Sequence, residues 1–363
     1  MKVIQMLPTL ALGDAVGNDT FALKKVLKDL GYETAIYANV LDRRLPSSCC
    51  EVLIGNELPE VEEDDIAIYH MSTESILNFN FETMQCRKIM IYHNITPPEF
   101  MKDCSYTIQK HSIAGLAGLK NLVGKVDYCL ADSEFNKQDL IKCGYTCPID
   151  VRPILIPFDD YKAKPDKNII KTYGSDGFTN ILFVGRIAPN KKHEDIISAF
   201  AYYNKHINSK SRLILAGSAN GFEFYDKKLK AYAEALGVAD YVIFTGHIKF
   251  SEILAFYSIA SVFLCMSEHE GFCVPLAEAM FFKVPIIAYN SCAIPYTLDG
   301  SGALIDSKNP VEVALLIDRI VKNQDLRDKI IEGQNRRLED FQYEKVKSLF
   351  AGYLKDFINK GKS

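Results

Sequence analysis

Residues 261–280 read SVFLCMSEHEGFCVPLAEAM and combine the features of a strand, a turn and a helix. The apolar run Ser261–Cys265 is typical of a buried strand, and Pro275, followed by helix-forming residues, is typical of a helix start. Glu270 and Glu278 stand on either side of the glycine-bearing turn between them. Because ligands of α/β proteins bind at the carboxyl ends of strands, we expect both carboxylates to lie near a ligand site.

Apolar runs alternate with helical patterns along nearly the whole chain. The predicted strands of a first series are Val3–Leu7, Thr34–Tyr37, Ile66–Tyr69, Ile89–Tyr92 and Tyr128–Ala131, with helices such as Asp19–Leu30 and Ser133–Cys143. Those of a second series are Ile181–Val184, Arg212–Ala216, Tyr241–Phe244, Val262–Cys265 and Pro285–Ala288. This alternation predicts an α/β fold of two Rossmann-like, doubly wound domains that face each other across a cleft.

Length and composition also indicate two domains. The chain has 363 residues, and the polar stretch 156–178, with its prolines and glycines, is typical of a linker. We predict an acceptor-binding domain over 1–160 and a donor-binding domain over 161–341. Apolar residues recur at helical spacing in the last segment, which predicts a helix over 342–363 that packs back on the first domain.

Charge and cysteine usage exclude several classes of protein. A net charge of −4 argues against a nucleic-acid-binding protein. The ten cysteines are scattered, without the repeated CxxC pairs of a zinc site, which favours a reduced cytoplasmic interior. The first residues, MKVIQMLP, are too short for a signal peptide, and no apolar run approaches the ~20 residues of a membrane span. We therefore expect a cytoplasmic protein, with contact at the inner face of the membrane left open.

Two loops at predicted strand ends suit an anion. A glycine turn with Gly13 and Gly17 runs into the first helix, and glycines let backbone amides approach a phosphate. Arg186 and Lys191 lie in the loop before a helix, where two cations could neutralise a diphosphate leaving group. The alternatives are a plain strand-to-helix turn for the first loop and a solvated basic loop for the second.

The remaining candidate residues are acidic groups and histidines at strand ends. Gly271 permits a turn, and Glu278 is predicted to lie in the first helical turn, where a carboxylate stabilises the helix without any ligand. Glu270 has no such structural explanation. His93 and His70 each end a predicted strand; a histidine in this place is more often a hydrogen-bonded structural residue, but two at adjacent strand ends indicate a site.

Four motifs in the second half occur in a characteristic order: GRIAPNKK at 185–192, LILAG at 213–217, VIFTGHI at 242–248 and EHEGFCVPLAEAM at 268–280. This order resembles the donor domain of the GT-B retaining glycosyltransferases of glycosyltransferase family 4, including the pattern of Glu270, seven residues and Glu278. The first half resembles the family only in layout. It has Gly13-Asp14-Ala15-Val16-Gly17 where many members have a pair of glycines.

The resemblance implies a role for each candidate residue. Glu270 would contact the transferred sugar and Glu278 the ribose of the nucleotide, while the backbone of Gly271, Phe272, Cys273 and Val274 would hold sugar and phosphate. Arg186 and Lys191 would clamp the diphosphate, and Gly13 and Gly17 would approach it. The catalytic set implied is Glu270, His93, Arg186 and Lys191, with His93 near the reactive sugar.

The implied activity is transfer of a hexose from a UDP-, GDP- or ADP-linked sugar to a glycan or lipid-linked acceptor, with retention of configuration. No metal site and no cofactor are expected, and surface-polysaccharide synthesis is the expected context. The alternatives are a nucleotide-sugar epimerase and a non-catalytic sugar-nucleotide-binding subunit. A dehydrogenase is disfavoured because neither first turn reads GxGxxG. Residues 108–125 fit a core helix better than one on a membrane surface.

Overall fold

The computed structural model describes residues 1–360 and divides the chain into two compact units. The first unit comprises Met1–Glu99, Thr107–Pro157 and the segment from Asp340 onward, and the second comprises Phe100–Tyr106 and Phe158–Glu339. Each unit is built around one parallel sheet with helices between successive strands. Both units are therefore Rossmann-like α/β domains, as the alternating sequence pattern predicts.

The first unit holds a seven-stranded parallel sheet in the order β3-β2-β1-β4-β5-β6-β7. Its elements are β1 (Val3–Leu10), α1 (Ala15–Asp29), β2 (Ile36–Leu41), β3 (Glu51–Val52), β4 (Ile66–Met71), α2 (Leu77–Asn80), β5 (Arg87–Tyr92), α3 (Tyr106–Asn121), β6 (Tyr128–Ala131), α4 (Glu134–Cys143) and β7 (Ile149–Val151). The order reverses between β1 and β4, which pair from Val3↔Ile66 to Met6↔Tyr69. This reversal is the place where doubly wound sheets open a crevice.

The second unit holds a six-stranded sheet in the order β10-β9-β8-β11-β12-β13. Its elements are α5 (Lys167–Tyr173), β8 (Thr179–Val184), α6 (His193–His206), β9 (Ser211–Ala216), α7 (Glu223–Ala235), β10 (Val242–Gly246), α8 (Phe250–Ile259), β11 (Val262–Cys265), α9 (Val274–Phe281), β12 (Ile286–Tyr289), α10 (Ile294–Leu298), β13 (Ala303–Ile305), α11 (Pro310–Lys322) and α12 (Gln324–Leu338). Here the order reverses between β8 and β11, where Ile181 pairs with Val262. The loops after these two strands carry Arg186, Lys191 and Glu270.

The last described helix, α13 (Tyr343–Lys360), packs within the first unit although it follows the second in the chain. Its apolar stripe, including Phe350 and Leu354, lies in one cluster with β1 and α1 residues such as Val3 and Leu23. The guanidinium of Arg87 lies 3.9 Å from the centre of the Phe357 ring. Residues 361–363 of the predicted terminal helix lie outside the described residues.

Three features differ from the sequence-based expectation. The polar stretch 156–178 is not a plain linker, because it contains α5 and, from Phe158 onward, packs within the second unit. Three short strands, β3, β7 and β13, were not predicted, since two or three residues give too little periodicity. Glu278 is the fifth residue of α9 rather than part of its first turn, so the helix-dipole explanation for it is wrong.

Helix α3 covers most of the stretch 108–125, for which a core helix and a membrane-surface helix were compared. A Cβ at Gly118 would lie 2.3 Å from the Asn78 amide, and one at Gly115 would lie 3.1 Å from the Glu74 backbone nitrogen. Both glycines therefore serve close packing inside the first unit. Among residues 1–360, no helix combines the length and apolar character needed to cross a bilayer.

Candidate functional site

The loop after β8 starts with a close approach between two strand ends. A Cβ at Gly217 would lie 1.9 Å from the Gly185 carbonyl oxygen, so only glycine fits there. The Ile187 amide donates to the Ser218 carbonyl at 2.9 Å and fixes the start of the loop. The Arg186 guanidinium lies 5.2 Å from the centre of the Phe222 ring, within the range of a cation–π interaction.

The loops after β8 and β11 are tied together at the reversal of strand order. Asn190 Nδ2 donates to the His269 carbonyl at 2.9 Å, and the Glu268 amide donates to the Asn190 carbonyl at 2.8 Å. Lys191 Nζ lies 2.6 Å from both carboxylate oxygens of Glu270. The Lys191 side chain is 20% exposed and that of Glu270 only 8%, so the lysine is the more accessible member of a mostly buried pair.

Burial alone lowers the pKa of Lys191, but the neighbouring Glu270 carboxylate outweighs it and keeps the pKa above its ordinary value. The ammonium group is therefore retained at neutral pH. A fixed cation in a partly desolvated place stabilises negative charge more strongly than one in water. The pair is suited to a polar ligand that hydrogen-bonds to Glu270 and places an anionic group at Lys191.

Helix α9 begins directly after Glu270 in an unusual backbone conformation. Cys273, its N-cap residue, has φ +70°, in the left-handed region that non-glycine residues rarely adopt. The Phe272 carbonyl accepts a hydrogen bond from Thr297 Oγ1 at 2.5 Å. The amino end of α9 therefore opens in the same loop as Glu270, where unpaired helix amides attract an anion.

Glu278 is held by two tyrosines that the sequence did not single out. Tyr161 donates to Glu278 Oε1 at 2.5 Å and Tyr257 donates to Oε2 at 2.7 Å. Burial raises the pKa of Glu278 above its ordinary value, while the two phenols oppose the shift by stabilising the carboxylate. Tyr161 was missed because it lies in the stretch predicted as a linker, and Tyr257 because a tyrosine inside an apolar helix resembles a core residue.

The glycine turn after β1 has structural reasons of its own. Gly13 has φ +77°, and a Cβ at Gly17 would lie 2.6 Å from the Ala11 carbonyl oxygen. Asp14 caps α1 by accepting from the Gly17 amide at 3.3 Å. Asp14 places a negative charge at the start of α1, where the phosphate was expected. The assignment of Gly13 and Gly17 to a donor phosphate stays a prediction.

His93 and His70 belong to a buried chain of hydrogen bonds in the first unit. His93 Nδ1 lies 2.7 Å from Asp132 Oδ2, and its Nε2 lies 2.8 Å from His70 Nδ1. His70 Nε2 lies 3.0 Å from Gln5 Oε1, since the Gln5 amide nitrogen donates to the Thr20 carbonyl. All four ring nitrogens of the two histidines are thus engaged.

With Asp132 ionised, proton counting assigns one positive charge to this histidine pair. The contacts to Asp132 and Gln5 each require an N–H, and the contact between the rings requires a third, whereas two neutral imidazoles have only two. Burial lowers the pKa of His93, but Asp132 outweighs it and leaves the pKa above the ordinary value. Beside the pair, the Arg152 guanidinium forms two hydrogen bonds to Asp19, at 2.9 and 2.6 Å.

The structure brings several of the predicted residues together in two places. Lys191, Glu270 and Cys273 meet in the second unit, with Arg186 in the same loop as Lys191; His93 and His70 meet in the first. With both ring nitrogens engaged and its side chain 2% exposed, His93 has no free ring nitrogen for a ligand, and its catalytic role stays a prediction. Asp132 was missed because one carboxylate at a strand end is a weak signal.

Comparison with known proteins finds relatives of the second unit. Residues 166–337 match the family model for glycosyl transferases group 1. D-inositol 3-phosphate glycosyltransferase of Corynebacterium jeikeium (strain K411) is 26% identical over 219 residues, covering 57% of this chain and 52% of its own. The GDP-mannose-dependent alpha-(1-6)-phosphatidylinositol monomannoside mannosyltransferase of Mycobacterium tuberculosis (strain CDC 1551 / Oshkosh) is 29% identical over 192 residues, covering 48% and 49%. The chain thus spans about half the length of these relatives.

The fold is also found among solved structures. Anabaena Alr3699/HepE, solved in complex with UDP and glucose, superposes with a TM-score of 0.76 at 15% identity, covering 98% of this chain and 100% of that one. At this identity the likeness concerns the fold, which is the pair of Rossmann-like domains found in GT-B glycosyltransferases.

Proposed function

We propose that the chain, whose residues 166–337 match the family model for glycosyl transferases group 1, transfers a hexose-type sugar from a nucleoside-diphosphate sugar to a glycan or lipid-linked acceptor. We include in the proposal retention of configuration, as in glycosyltransferase family 4, and independence of a metal ion. Surface-polysaccharide synthesis is the proposed context.

The observation that carries the proposal is the Lys191–Glu270 pair at the reversal between β8 and β11. A sugar nucleotide offers both groups that the pair would recognise: hydroxyls that donate to Glu270, and a diphosphate that accepts from Lys191. The 2.6 Å contacts position the ammonium group before any ligand arrives. Pre-positioned charge of this kind lowers the barrier because no reorganisation is needed during the reaction.

In the proposed reaction, the bond between the anomeric carbon and the diphosphate oxygen breaks, and negative charge develops on the leaving diphosphate. Lys191, with Arg186 in the same loop and the amino end of α9, stabilises that charge. The departing oxygen takes the proton of the acceptor hydroxyl as the new glycosidic bond forms on the same face. The chain then needs neither a nucleophilic side chain nor a metal ion to balance the step.

Glu278 is the proposed contact for the ribose hydroxyls of the nucleotide. Each of its oxygens accepts one phenolic hydrogen bond and retains a lone pair, so a ribose hydroxyl can be added without breaking the tyrosine contacts. The two relatives act on inositol-containing acceptors by name, and one of them uses GDP-mannose. UDP, GDP and ADP sugars are all candidates for this chain.

A thermal-shift panel tests the proposal. Purified protein is heated with UDP, GDP, ADP and their common hexose derivatives, with and without EDTA. A ligand that binds only the folded state raises the midpoint by mass action. We expect a rise with one nucleotide and its sugars that EDTA leaves unchanged and that Lys191→Ala reduces.

Lys230→Ala is the matched control. Lys230 also pairs with a carboxylate in the second unit, Asp226 at 2.7 Å, but on the surface of α7. The control variant should keep the full ligand-induced rise. No rise with any sugar nucleotide, or an equal rise in wild type and Lys191→Ala, would overturn the assignment of this site.

A further inference from the structure

Three side chains with metal-binding atoms converge beside the Lys191–Glu270 pair. The Cys265 Sγ, the Cys273 Sγ and a Glu270 carboxylate oxygen all lie within 4.8 Å of one another. Cys265 is fully buried, and Cys273 and Glu270 are each 7% exposed. We propose that these three residues form a binding site for a soft divalent cation of the zinc class.

The separations fit tetrahedral coordination after a small adjustment. With Zn–S near 2.3 Å and Zn–O near 2.0 Å, the ligand atoms of a tetrahedral site stand ~3.5–3.8 Å apart. The observed upper limit of 4.8 Å therefore requires each ligand to move by about 1 Å or less. Ser267 Oγ, 3.4 Å from Cys265 Sγ, or a solvent molecule completes the coordination.

The local charge balance also permits a cation at this place. One ammonium group and one carboxylate, with two neutral thiols, sum to zero. Replacement of the two thiol protons by one divalent cation leaves that sum unchanged, so the adjacent Lys191 does not prevent binding. Each Glu270 oxygen is 2.6 Å from Lys191 Nζ, and one can turn to the metal while the other keeps the lysine.

The two thiols are in direct contact. The side chains of Cys265 and Cys273 are hydrogen-bonded to each other, so both sulfur atoms already face one position. Cys273 adopts a left-handed backbone conformation, with φ +70°, that strains a residue other than glycine. Two thiols and a carboxylate that converge at one place are consistent with the ligand set of a soft metal.

A metal ion at this site would not be a cofactor of the proposed reaction. It would bind Glu270, the carboxylate that the proposed function assigns to the sugar. Metal and donor sugar would compete for Glu270, so the cation would act as an inhibitor. This last consequence rests on the proposed transferase function, whereas binding of the metal does not.

Cobalt(II) serves as the spectroscopic probe of binding. Wild-type protein, fully reduced, is titrated with cobalt chloride, and we expect one equivalent to produce thiolate-to-cobalt charge-transfer absorption together with the visible bands of tetrahedral cobalt. Zinc chloride should abolish both. Cys265→Ser should lower the affinity by at least the ~10–100-fold that even outer-shell partners contribute.

Cys129→Ser is the matched control. Cys129 Sγ lies 3.6 Å from Cys147 Sγ in the first unit, which makes a second close thiol pair at another location. The control should keep the wild-type spectrum. Absence of the bands in wild type, or their loss in Cys129→Ser and retention in Cys265→Ser, would overturn the site.

Calorimetry supplies an independent readout. Zinc titrations in two buffers of different ionisation enthalpy should show two protons released per metal at pH 7, since both thiols must be deprotonated. Release near zero would contradict thiolate coordination. Neither measurement needs an active transferase. If the cobalt bands appear but no sugar nucleotide stabilises the protein, the proposed function alone is wrong. If a sugar nucleotide stabilises the protein but the cobalt bands are absent, the metal site alone is wrong.

Discussion

Each unit carries a cluster of charged side chains at the carboxyl ends of its central strands, but the two clusters distribute their hydrogen bonds differently. In the first unit, Asp132, His93, His70 and Gln5 form a closed chain, and the side chain of His93 is 2% exposed. In the second, Lys191 contacts Glu270, and the lysine side chain is 20% exposed. The same strand topology thus supports a closed, buried cluster in the first unit and a more accessible pair in the second, and the second is the one proposed to bind a ligand.

The largest expected effect is a loss of protein stability when the buried pair of Arg152 and Asp19, beside the histidine cluster of the first unit, is broken. Arg152→Leu removes a fully buried guanidinium and leaves Asp19 as an unpaired buried carboxylate, which should cost about 3–5 kcal/mol of unfolding free energy. Urea unfolding monitored by circular dichroism measures it. Lys347→Ala, which breaks an exposed ion pair to Asp29, should leave the midpoint nearly unchanged. Equal effects of the two variants would contradict the structural role of the cluster.

A substitution in the Lys191–Glu270 pair should lower the reaction rate without unfolding the protein. Glu270→Gln keeps the shape of the side chain but removes its charge, so Lys191 loses its anchor and kcat should fall ~10²–10³-fold. Steady-state assays with the donor found in the panel test this. Glu252→Gln, which alters an exposed carboxylate that caps α8, is the control and should keep the wild-type kcat. Wild-type kcat in Glu270→Gln would refute the role of Glu270.

A moderate effect is expected at Glu278. Tyr161→Phe removes one neutral hydrogen bond, worth ~1 kcal/mol, and should raise the donor KM about fivefold with little change in kcat. The pKa of Glu278 should rise further, so the acid limb of the KM profile should move to higher pH. Tyr232→Phe, which loses a phenolic contact to Ser198 on the surface, is the control. An unchanged KM and an unchanged pH profile in Tyr161→Phe would contradict a role of Glu278 in donor binding.

The smallest effect is the pH dependence of the first cluster. Because Asp132 keeps the pKa of His93 above 6.5, this pairing stabilises the fold fully below pH 6.5 and loses its contribution as the pH rises through the folded-state pKa. Hydrogen exchange of β5 amides, corrected for intrinsic rates, should show weaker protection at pH 8 than at pH 6. Amides of β11 provide the internal comparison. Stronger protection of β5 at pH 8 would contradict the charge assigned to the histidine pair.

Buried strands of four or more residues could be predicted from sequence, because burial makes them continuous apolar runs. Tyr128–Ala131 and Val262–Cys265 are strands with the predicted bounds. The two-residue strand Glu51–Val52 could not be predicted, since local pattern does not define so short an element.

For the candidate site, the sequence indicated Lys191 and Glu270 through their places at strand ends. It did not indicate that they pair with each other, because that contact depends on how the β8 and β11 loops meet. The same limit applies to Cys265 and Cys273. Their convergence requires the left-handed turn at Cys273, which no spacing rule anticipates.

The central claim, that the Lys191–Glu270 pair drives departure of a nucleoside diphosphate, is tested most directly by the rate of diphosphate release. The sugar nucleotide that stabilises the protein is incubated at saturating concentration with wild type, Lys191→Ala and Lys230→Ala, with water as the acceptor of the sugar, and the released nucleoside diphosphate is quantified. We expect release to fall by about two orders of magnitude in Lys191→Ala alone. Equal release by wild type and Lys191→Ala would contradict the claim.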